Sequence, residues 1–295
     1  MANVNYTVLR ADKWHAIGAE FMAKYAWETP VTATLQADYQ ALVPLVITKM
    51  EHNHAAEIMW QDILGQPIGK VKPFIIGLTG SVAVGKSTSA KTIKQLLAEA
   101  LPEAQIEIVT TDNFLYNNQI LANRGLTDRK GFPESYNIEA MIAFLKAVKE
   151  RHADITVPVY SHEYYDILPY QVQMIGQPDI VILEGVNALH RQGQALAPID
   201  LMDLTIYIDA PTALIKNWFL QRFERLVDAA ENEPASYYHK FITDRLAARQ
   251  LAEEVWHAVN ERNLKECIIP ARALADIIVE KGPNHLVTQV ALRKY

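Results

Sequence analysis

The hydrophobic and polar positions along the chain form two kinds of stretch. Short continuous apolar runs alternate with longer stretches in which apolar residues recur at helical spacing. Continuous apolar runs are typical of strands that are buried on both faces of a parallel sheet. Their alternation with helices predicts an α/β fold, with a parallel sheet and helices on both of its faces. The predicted strands lie at residues 74–79, 106–109, 179–185, 203–209 and 277–279.

The amphipathic stretches predict the helices between these strands. Apolar residues in the segment 93–101 recur at i, i+3, i+4, i+7 and i+8, which is the stripe of a helix with one buried face. Asn137 is predicted to cap a second helix, and Pro211 to begin a third. A long helix is expected over about 235–262, with alanine, leucine and valine residues along one face.

Three other segments carry weaker patterns. Residues 116–137 are rich in Asn, Gly, Arg and Lys and are predicted to form a loop. Residues 156–160 contain Pro158, so we expect an edge strand or an irregular segment. Residues 1–72 show helical spacing without a strand pattern, and we expect them to form an N-terminal helical layer rather than an independent domain.

The strongest motif lies between the first predicted strand and the helix that follows it. Residues 80–87 read GSVAVGKS and match G-x-x-x-x-G-K-[ST] at every fixed position. The two glycines allow a turn whose N–H groups point at a phosphate, and the helix adds its positive N-terminal end. Lys86 would reach the outer phosphates, and the Ser87 hydroxyl would bind Mg²⁺. A strand–helix turn that binds nothing is the alternative. The predicted phosphate site comprises Gly80, Ser81, Val82, Ala83, Val84, Gly85, Lys86, Ser87 and Thr88.

Acidic residues stand at the carboxyl ends of three predicted strands, where ligands bind in such sheets. Asp112 could accept the proton of an attacking hydroxyl, although a turn or cap role is an equal alternative. Glu184 ends an apolar strand and could hold Mg²⁺ directly or through water. Asp209 precedes a proline and a helix, and we predict that it caps that helix.

Composition and charge narrow the class of protein. The chain of 295 residues is 50% hydrophobic and has a formal net charge of −6. A globally acidic chain argues against nucleic-acid binding and against binding to anionic membranes. A single cysteine, Cys267, excludes an intramolecular disulfide and fits a reducing cytoplasm. The sequence shows neither a signal peptide nor an apolar stretch long enough to span a membrane.

Several blocks of sequence together resemble the bacterial type I pantothenate kinases, a P-loop kinase family related to uridine kinase and phosphoribulokinase. The P-loop alone indicates only nucleotide binding, whereas the KGFPESY and PVYSH blocks are much more specific. The resemblance runs in order from about residue 35 to the C-terminus, and it implies a single kinase domain over 1–295 with its core at 73–295. The resembling blocks are GSVAVGKS (80–87), TTDNFL (110–115), RGLTDRKGFPESYN (124–137), PVYSHEYYD (158–166), QPDIVILEGVNAL (177–189), YIDAP (207–211), NWFLQRF (217–223), NLKECIIPARALA (263–275) and GPNHLV (282–287).

The resemblance implies ATP-dependent phosphorylation of the primary hydroxyl of pantothenate, the first committed step toward coenzyme A. Asp112 matches the catalytic base of the family, Arg222 the arginine near the transferred phosphoryl group, and His285 a contact to adenine. Lys86 and Ser87 match its phosphate and magnesium ligands, and Glu184 matches the acid of its ILEG motif. The family also implies a homodimer. The implied pantothenate contacts are Tyr160, His162, Tyr165 and Asn263.

Without the resemblance, four of these residues have simpler interpretations. His162 could be a loop histidine with satisfied hydrogen bonds, and Tyr160 an aromatic residue at the edge of the core. Arg222 could form a surface salt bridge, and Asn263 could cap a helix.

The chain departs from the family pattern at several positions. Asn113 stands where the family usually has Gly, and Phe219 where it usually has Tyr, so one hydroxyl contact to the substrate is missing. The N-terminal helix that helps to hold adenine in members of the family matches the family pattern poorly around residues 46–49. Lys91 replaces an arginine that grips the phosphates of coenzyme A, and Leu226 replaces an aromatic residue that stacks near its adenine. We therefore predict that coenzyme A inhibits competitively with ATP, but more weakly than is usual for the family.

Two other functions remain compatible with the P-loop. One is a sister kinase for uridine or a sugar phosphate, but a second basic cluster for a substrate phosphate is not clearly placed. The other is a P-loop switch or chaperone-like NTPase, but the NKxD motif of guanine-specific switches is absent from the sequence.

Overall fold

The computed structural model describes residues 5–24, 34–67, 69–191, 193 and 196–294. Within these residues, nine strands form a seven-stranded central sheet and a separate two-stranded hairpin. The strands are β1 (Tyr6–Arg10), β2 (Phe74–Gly80), β3 (Ile106–Thr110), β4 (Thr156–Ser161), β5 (Asp166–Met174), β6 (Ile180–Glu184), β7 (Leu204–Asp209), β8 (Ile277–Lys281) and β9 (Val287–Arg293). The main helices are α1 (Ala11–Lys24), α2 (Thr34–Gln40), α3 (Leu42–Ile63), α4 (Lys86–Ala100), α5 (Asn118–Asn123), α6 (Ile138–Lys149), α7 (Thr212–Ala229) and α8 (Arg245–Val255).

The central sheet has the order β1-β9-β8-β7-β2-β6-β3. Five neighbouring strands, from β8 to β3, run parallel, while β9 and β1 are added antiparallel at one edge. The predicted parallel α/β sheet is therefore confirmed, with two antiparallel strands at one edge that the sequence did not indicate. Strand β2, which leads into the P-loop, lies in the middle of the sheet between β6 and β7.

Alternating side chains of the central strands belong to two separate apolar cores, one on each face of the sheet. Ile76 and Ile182 lie in a core that includes the buried face of α4, whereas Ile75 and Val181 lie in a core that includes α6. Both faces of each central strand are buried, and this is why these segments are continuous apolar runs in the sequence.

The prediction that residues 1–72 lack a strand is wrong. Tyr6–Arg10 forms β1 and pairs antiparallel with β9 along its whole length, from Tyr6 opposite Arg293 to Arg10 opposite Gln289. Leu9 is the one fully buried residue of β1, so this edge strand presents no apolar run. The strands β5 and β9 were also not predicted, and β5 is largely exposed to solvent.

Several helix predictions need correction. Helix α8 begins at Arg245, not near residue 235, because Asp244 caps it by accepting from Ala247 N at 2.9 Å. Helical conformation then continues through π-helical turns to Ala271. The predicted loop at 116–137 contains the short helix α5. The predicted cap at Asn137 is confirmed, since its side chain accepts from Ala140 N at 3.1 Å at the start of α6.

In the N-terminal layer, Leu42–Ile63 form one helix, α3, of 22 residues. Across the described ranges, helices long and apolar enough to cross a membrane are absent.

Candidate active site

The P-loop connects β2 to α4, as its motif predicts, and α4 begins at Lys86. Gly80 has φ +149°, and a Cβ there would lie 2.4 Å from Ile208 O. Gly85 has φ +92°, in the left-handed region that favours glycine. The loop therefore depends on both glycines. Lys86 is buried, and its Nζ donates to Ser81 O at 2.8 Å, inside the loop.

A serine and an acid meet where β6 ends beside the P-loop helix. Ser87 Oγ donates to Glu184 Oε1 at 2.8 Å. Burial raises the pKa of Glu184, although the positive charge of Lys86 and the Ser87 hydrogen bond oppose the rise. Burial lowers the pKa of Lys86 to about 8, against the charges of Glu184 and Asp112. These two oxygen ligands suit Mg²⁺, which prefers oxygen and is usually held by a few protein groups together with phosphates and water.

Asp112 lies in a short 3₁₀ turn directly after β3. The hydroxyl of Tyr136 donates to Asp112 Oδ1 at 3.2 Å, and His162 Nε2 lies 4.0 Å from Oδ2. Thr110 caps the turn by accepting from Asp112 N at 3.3 Å. The cap therefore comes from Thr110, and the carboxylate of Asp112 is left to face the cavity described below.

The β4–β5 hairpin carries three of the predicted substrate residues. The rings of Tyr160 and His162 meet edge to face with centroids 5.2 Å apart, and Tyr160 and Tyr165 do so at 6.4 Å. Asn113 Oδ1 accepts from Tyr160 N at 3.0 Å. The asparagine that replaces the usual glycine of the family thus joins the turn after β3 to the hairpin. Burial lowers the pKa of His162, and Asp112 opposes that shift.

Helix α7 and the helical run after α8 lie on the side of the site opposite the β4–β5 hairpin and contribute two further predicted residues. Arg222 projects from α7 and forms neither a hydrogen bond nor an ion pair within the described part of the chain, so a salt-bridge role is not seen. Asn263 lies inside a helical run, not at a helix end, and its Nδ2 donates to Gly131 O at 2.8 Å. The helix-cap interpretation of Asn263 is therefore wrong.

These side chains line one cavity with a volume of about 240 Å³. Residues from the P-loop, the ends of β3 and β6, the hairpin, α7 and the helical run that begins with α8 all line it, although they are widely separated in sequence. The predicted site residues on its wall are Ser81, Val82, Lys86, Ser87, Asp112, Tyr160, His162, Tyr165, Glu184, Arg222 and Asn263.

His285 lies outside this cavity, on another side of the P-loop. Its ring stacks on Trp218 with centroids 3.8 Å apart, and a Cβ on Gly85 would lie 3.7 Å from His285 Nδ1. Burial lowers the pKa of His285. The structure thus separates His285 from the implied pantothenate contacts on the cavity wall, and His285 lies beside the P-loop instead.

The prediction that Asp209 caps the following helix is wrong. Its Oδ2 accepts from Arg272 Nε at 2.6 Å, and Oδ1 accepts from Ala210 N at 2.9 Å. Helix α7 begins after Pro211 without a side-chain cap. The carboxylate therefore belongs to an ion pair with Arg272 at the end of β7.

Four residues near the site were not identified from the sequence. Tyr136 and Lys130 both belong to the KGFPESY block, which could have identified them. Lys130 Nζ lies 4.0 Å from the centroid of the Tyr165 ring, and burial lowers its pKa to about 8. Asn187 donates to Gly131 O at 2.8 Å, as Asn263 does. Lys281 lies behind the P-loop, and an isolated lysine at a strand end carries no sequence signal.

Comparison with known proteins places these features in a family. The model of the phosphoribulokinase / uridine kinase family matches residues 75–225. The chain is 38% identical to the pantothenate kinase of Ligilactobacillus salivarius, with 99% of each chain covered. It is 47% identical to that of Enterococcus faecalis over 76% of this chain and 74% of the relative.

Among solved structures, D-glycerate 3-kinase from Cryptococcus neoformans is similar with a TM-score of 0.52 and 11% identity, covering 82% of this chain and 94% of that one. At this identity the likeness concerns the fold alone, which is that of a P-loop kinase. The Ligilactobacillus salivarius relative, in contrast, matches over 99% of this chain at 38% identity. The chain therefore belongs to the pantothenate kinases, within the phosphoribulokinase / uridine kinase family.

Proposed function

We propose that the protein transfers the γ-phosphoryl group of ATP to the primary hydroxyl of pantothenate and forms 4'-phosphopantothenate, the first step of coenzyme A biosynthesis. The observation that carries this proposal is the single cavity shared by Asp112, Lys86 and Arg222. A proton acceptor and two cations converge there on the space where a hydroxyl and a phosphoryl group would meet. Phosphoryl transfer needs mainly such positioning and charge stabilisation.

The P-loop residues 80–88 bind the phosphates of ATP in this proposal. Lys86 already has its Nζ inside the loop, where it reaches the outer phosphates. Ser87 and Glu184 would hold Mg²⁺, which supplies positive charge to the phosphate oxygens when it is bound. His285 lies beside the loop and, by resemblance, contacts the adenine.

Asp112 accepts the proton of the substrate hydroxyl. The hydroxyl oxygen bonds to the γ-phosphorus as the bond between that phosphorus and the ADP oxygen breaks. The Tyr136 hydroxyl holds one carboxylate oxygen, which leaves Oδ2 for the substrate. Arg222 has no competing partner among the described residues, so its planar guanidinium is available to the transferred phosphoryl group.

Pantothenate has a carboxylate, an amide and hydroxyls, so its recognition needs neutral polar groups together with a cation. Tyr160, His162, Tyr165 and Asn263 supply the neutral groups. The lowered pKa of His162 favours its uncharged form at neutral pH. Lys130 supplies a cation on the same wall, and an anionic substrate would compensate the cost of burying it.

The remaining properties are proposed by analogy with the family. We propose one kinase domain, cytoplasmic and homodimeric, with coenzyme A as a feedback inhibitor competitive with ATP. On the apolar face of α8, Ala248 and Ala252 are buried within the chain, whereas Leu251 and Val255 are exposed. Sedimentation analysis of the purified protein would test the dimer directly.

The function is tested by offering pantothenate, uridine and ribulose phosphate in parallel and measuring ADP formation. We expect turnover with pantothenate and little with the other two acceptors. Rapid phosphorylation of uridine or ribulose phosphate, with pantothenate inactive, would replace the proposal by one of the sister kinases.

A further inference from the structure

A second lysine lies behind the phosphate-binding loop, on the side away from the cavity. Lys281 is the last residue of β8, and it is only 2% exposed. Its Nζ donates to Val84 O at 3.2 Å and to Ser89 Oγ at 3.2 Å. A Cβ built on Gly85 would lie 3.0 Å from this nitrogen. The ammonium group is therefore directly behind the backbone that cradles phosphate.

The positive charge of Lys281 lacks a carboxylate partner at ion-pair distance in the described ranges. Asp38 is the acid whose charge acts on it most, but that carboxylate is bonded to His15 Nε2 at 2.9 Å. Burying an unpaired cation is costly, and such a charge is retained where an anion can compensate it. The P-loop, whose Val84 carbonyl accepts from this ammonium group, is an element of the fold that is suited to bind an anion.

We propose that Lys281 is a positioning residue of the nucleotide site, whose charge acts through the P-loop backbone on the phosphates bound in front of it. This proposal rests on nucleotide binding by the P-loop. Lys281 does not touch the phosphates. It acts because charges separated by a thin layer of buried backbone interact much more strongly than charges in water.

Ser89, which accepts a hydrogen bond from Lys281, also connects the loop to the N-terminal layer. Ser89 Oγ donates to Gly85 O at 2.9 Å, and Tyr39 Oη lies 2.5 Å from the same Ser89 Oγ. Lys281 thus has two separable contributions, a charge and a pair of donors that fix the first turn of α4. A test must distinguish the charge from the donors.

Three variants make this distinction. Lys281→Gln keeps an N–H donor without the charge, Lys281→Met removes both, and Lys281→Arg keeps both. Calorimetric titration with Mg²⁺·ADP measures nucleotide affinity, and the KM for pantothenate is the control, because the pantothenate residues lie on the other side of the loop. Thermal melting verifies that each variant folds.

We expect the Kd for ADP to rise about tenfold or more in the Gln and Met variants, equivalent to about 1.4 kcal/mol, while the Arg variant stays near wild type. The KM for pantothenate should change by less than about twofold in all three. Should Lys281→Met fail to fold, Lys281→Gln carries the same test.

The proposal is overturned if Lys281→Gln binds ADP within about twofold of wild type, or if the KM for pantothenate rises in parallel with the Kd. These outcomes are distinct from failure of the proposed function. A wild-type protein that binds ADP but does not phosphorylate pantothenate would refute the function and leave the role of Lys281 standing.

Discussion

The Tyr136 hydroxyl donates a hydrogen bond to Asp112 Oδ1 at 3.2 Å. Burial and the negative charge of Asp112 raise the pKa of Tyr136, so the phenol stays protonated and remains a donor. The carboxylate is thereby held in one orientation, with its second oxygen toward His162 and the cavity.

Replacing Asp112 by Asn preserves the shape of the side chain and removes the proton acceptor. We expect kcat to fall about 10²-fold or more, the range for general acid–base groups, while the KM for pantothenate changes little. Single-turnover rapid-quench measurements of phosphorylated product check this. A rate close to that of wild type would assign the base to another group.

Replacing Lys86 by Ala should abolish ATP-dependent turnover while the fold survives. Lys86 is buried, but its Nζ bonds a loop carbonyl rather than a core contact, so its loss should lower the melting temperature only slightly. Turnover and thermal melting are measured on the same preparation. Activity within a few fold of wild type would contradict the phosphate role of the lysine.

The rate should depend on pH through Lys130. Burial lowers the pKa of Lys130 to about 8, so its positive charge is present below that pH and is lost as the pH rises through it. Because the charge favours an anionic substrate, kcat/KM for pantothenate at saturating ATP should decrease above about pH 8. In the Lys130→Met variant this decrease should become smaller and start from a lower value, and the part that remains belongs to Lys86, whose pKa burial also lowers to about 8. A decrease of unchanged size and midpoint would assign it to another group.

Inhibition by coenzyme A should be competitive with ATP and weak. Lys91 is exposed on α4, and Leu226 lines the cavity from α7 without an aromatic face. The double variant Lys91→Arg, Leu226→Phe restores the fork and the stacking surface, so it should lower the inhibition constant. ATP titrations at several fixed coenzyme A concentrations measure both properties. Tight or noncompetitive inhibition of wild type would contradict the prediction.

The sequence predicted the parts of the fold whose residues carry a strong local signal. The strands that contain Ile76 and Ile182 are buried on both faces, so each is a continuous apolar run. Strand β1 has no such signal, because Leu9 alone is buried and the strand exists only through its pairing with β9. Helix α8 begins later than its apolar spacing suggested, since the cap at Asp244 determines where it starts.

The site shows the same division. The P-loop was predicted from its motif, and Tyr160 and His162 of the PVYSH block line the cavity with Asp112. Asp209 was misjudged because its partner, Arg272, is distant in sequence. Lys281 was missed because its role depends on a strand end packing behind a loop nearly 200 residues earlier, as its bond to Val84 O shows with a separation of 197 residues.

Transfer of phosphate to the primary hydroxyl of pantothenate is tested most directly by determining the structure of the product. After incubation of the protein with ATP, Mg²⁺ and pantothenate, phosphorus–proton correlation NMR identifies the carbon that bears the new phosphate ester. We predict a correlation to the methylene protons of the primary alcohol and a matching amount of ADP. Pantothenate recovered unchanged, or a phosphate on its secondary hydroxyl, would contradict the account.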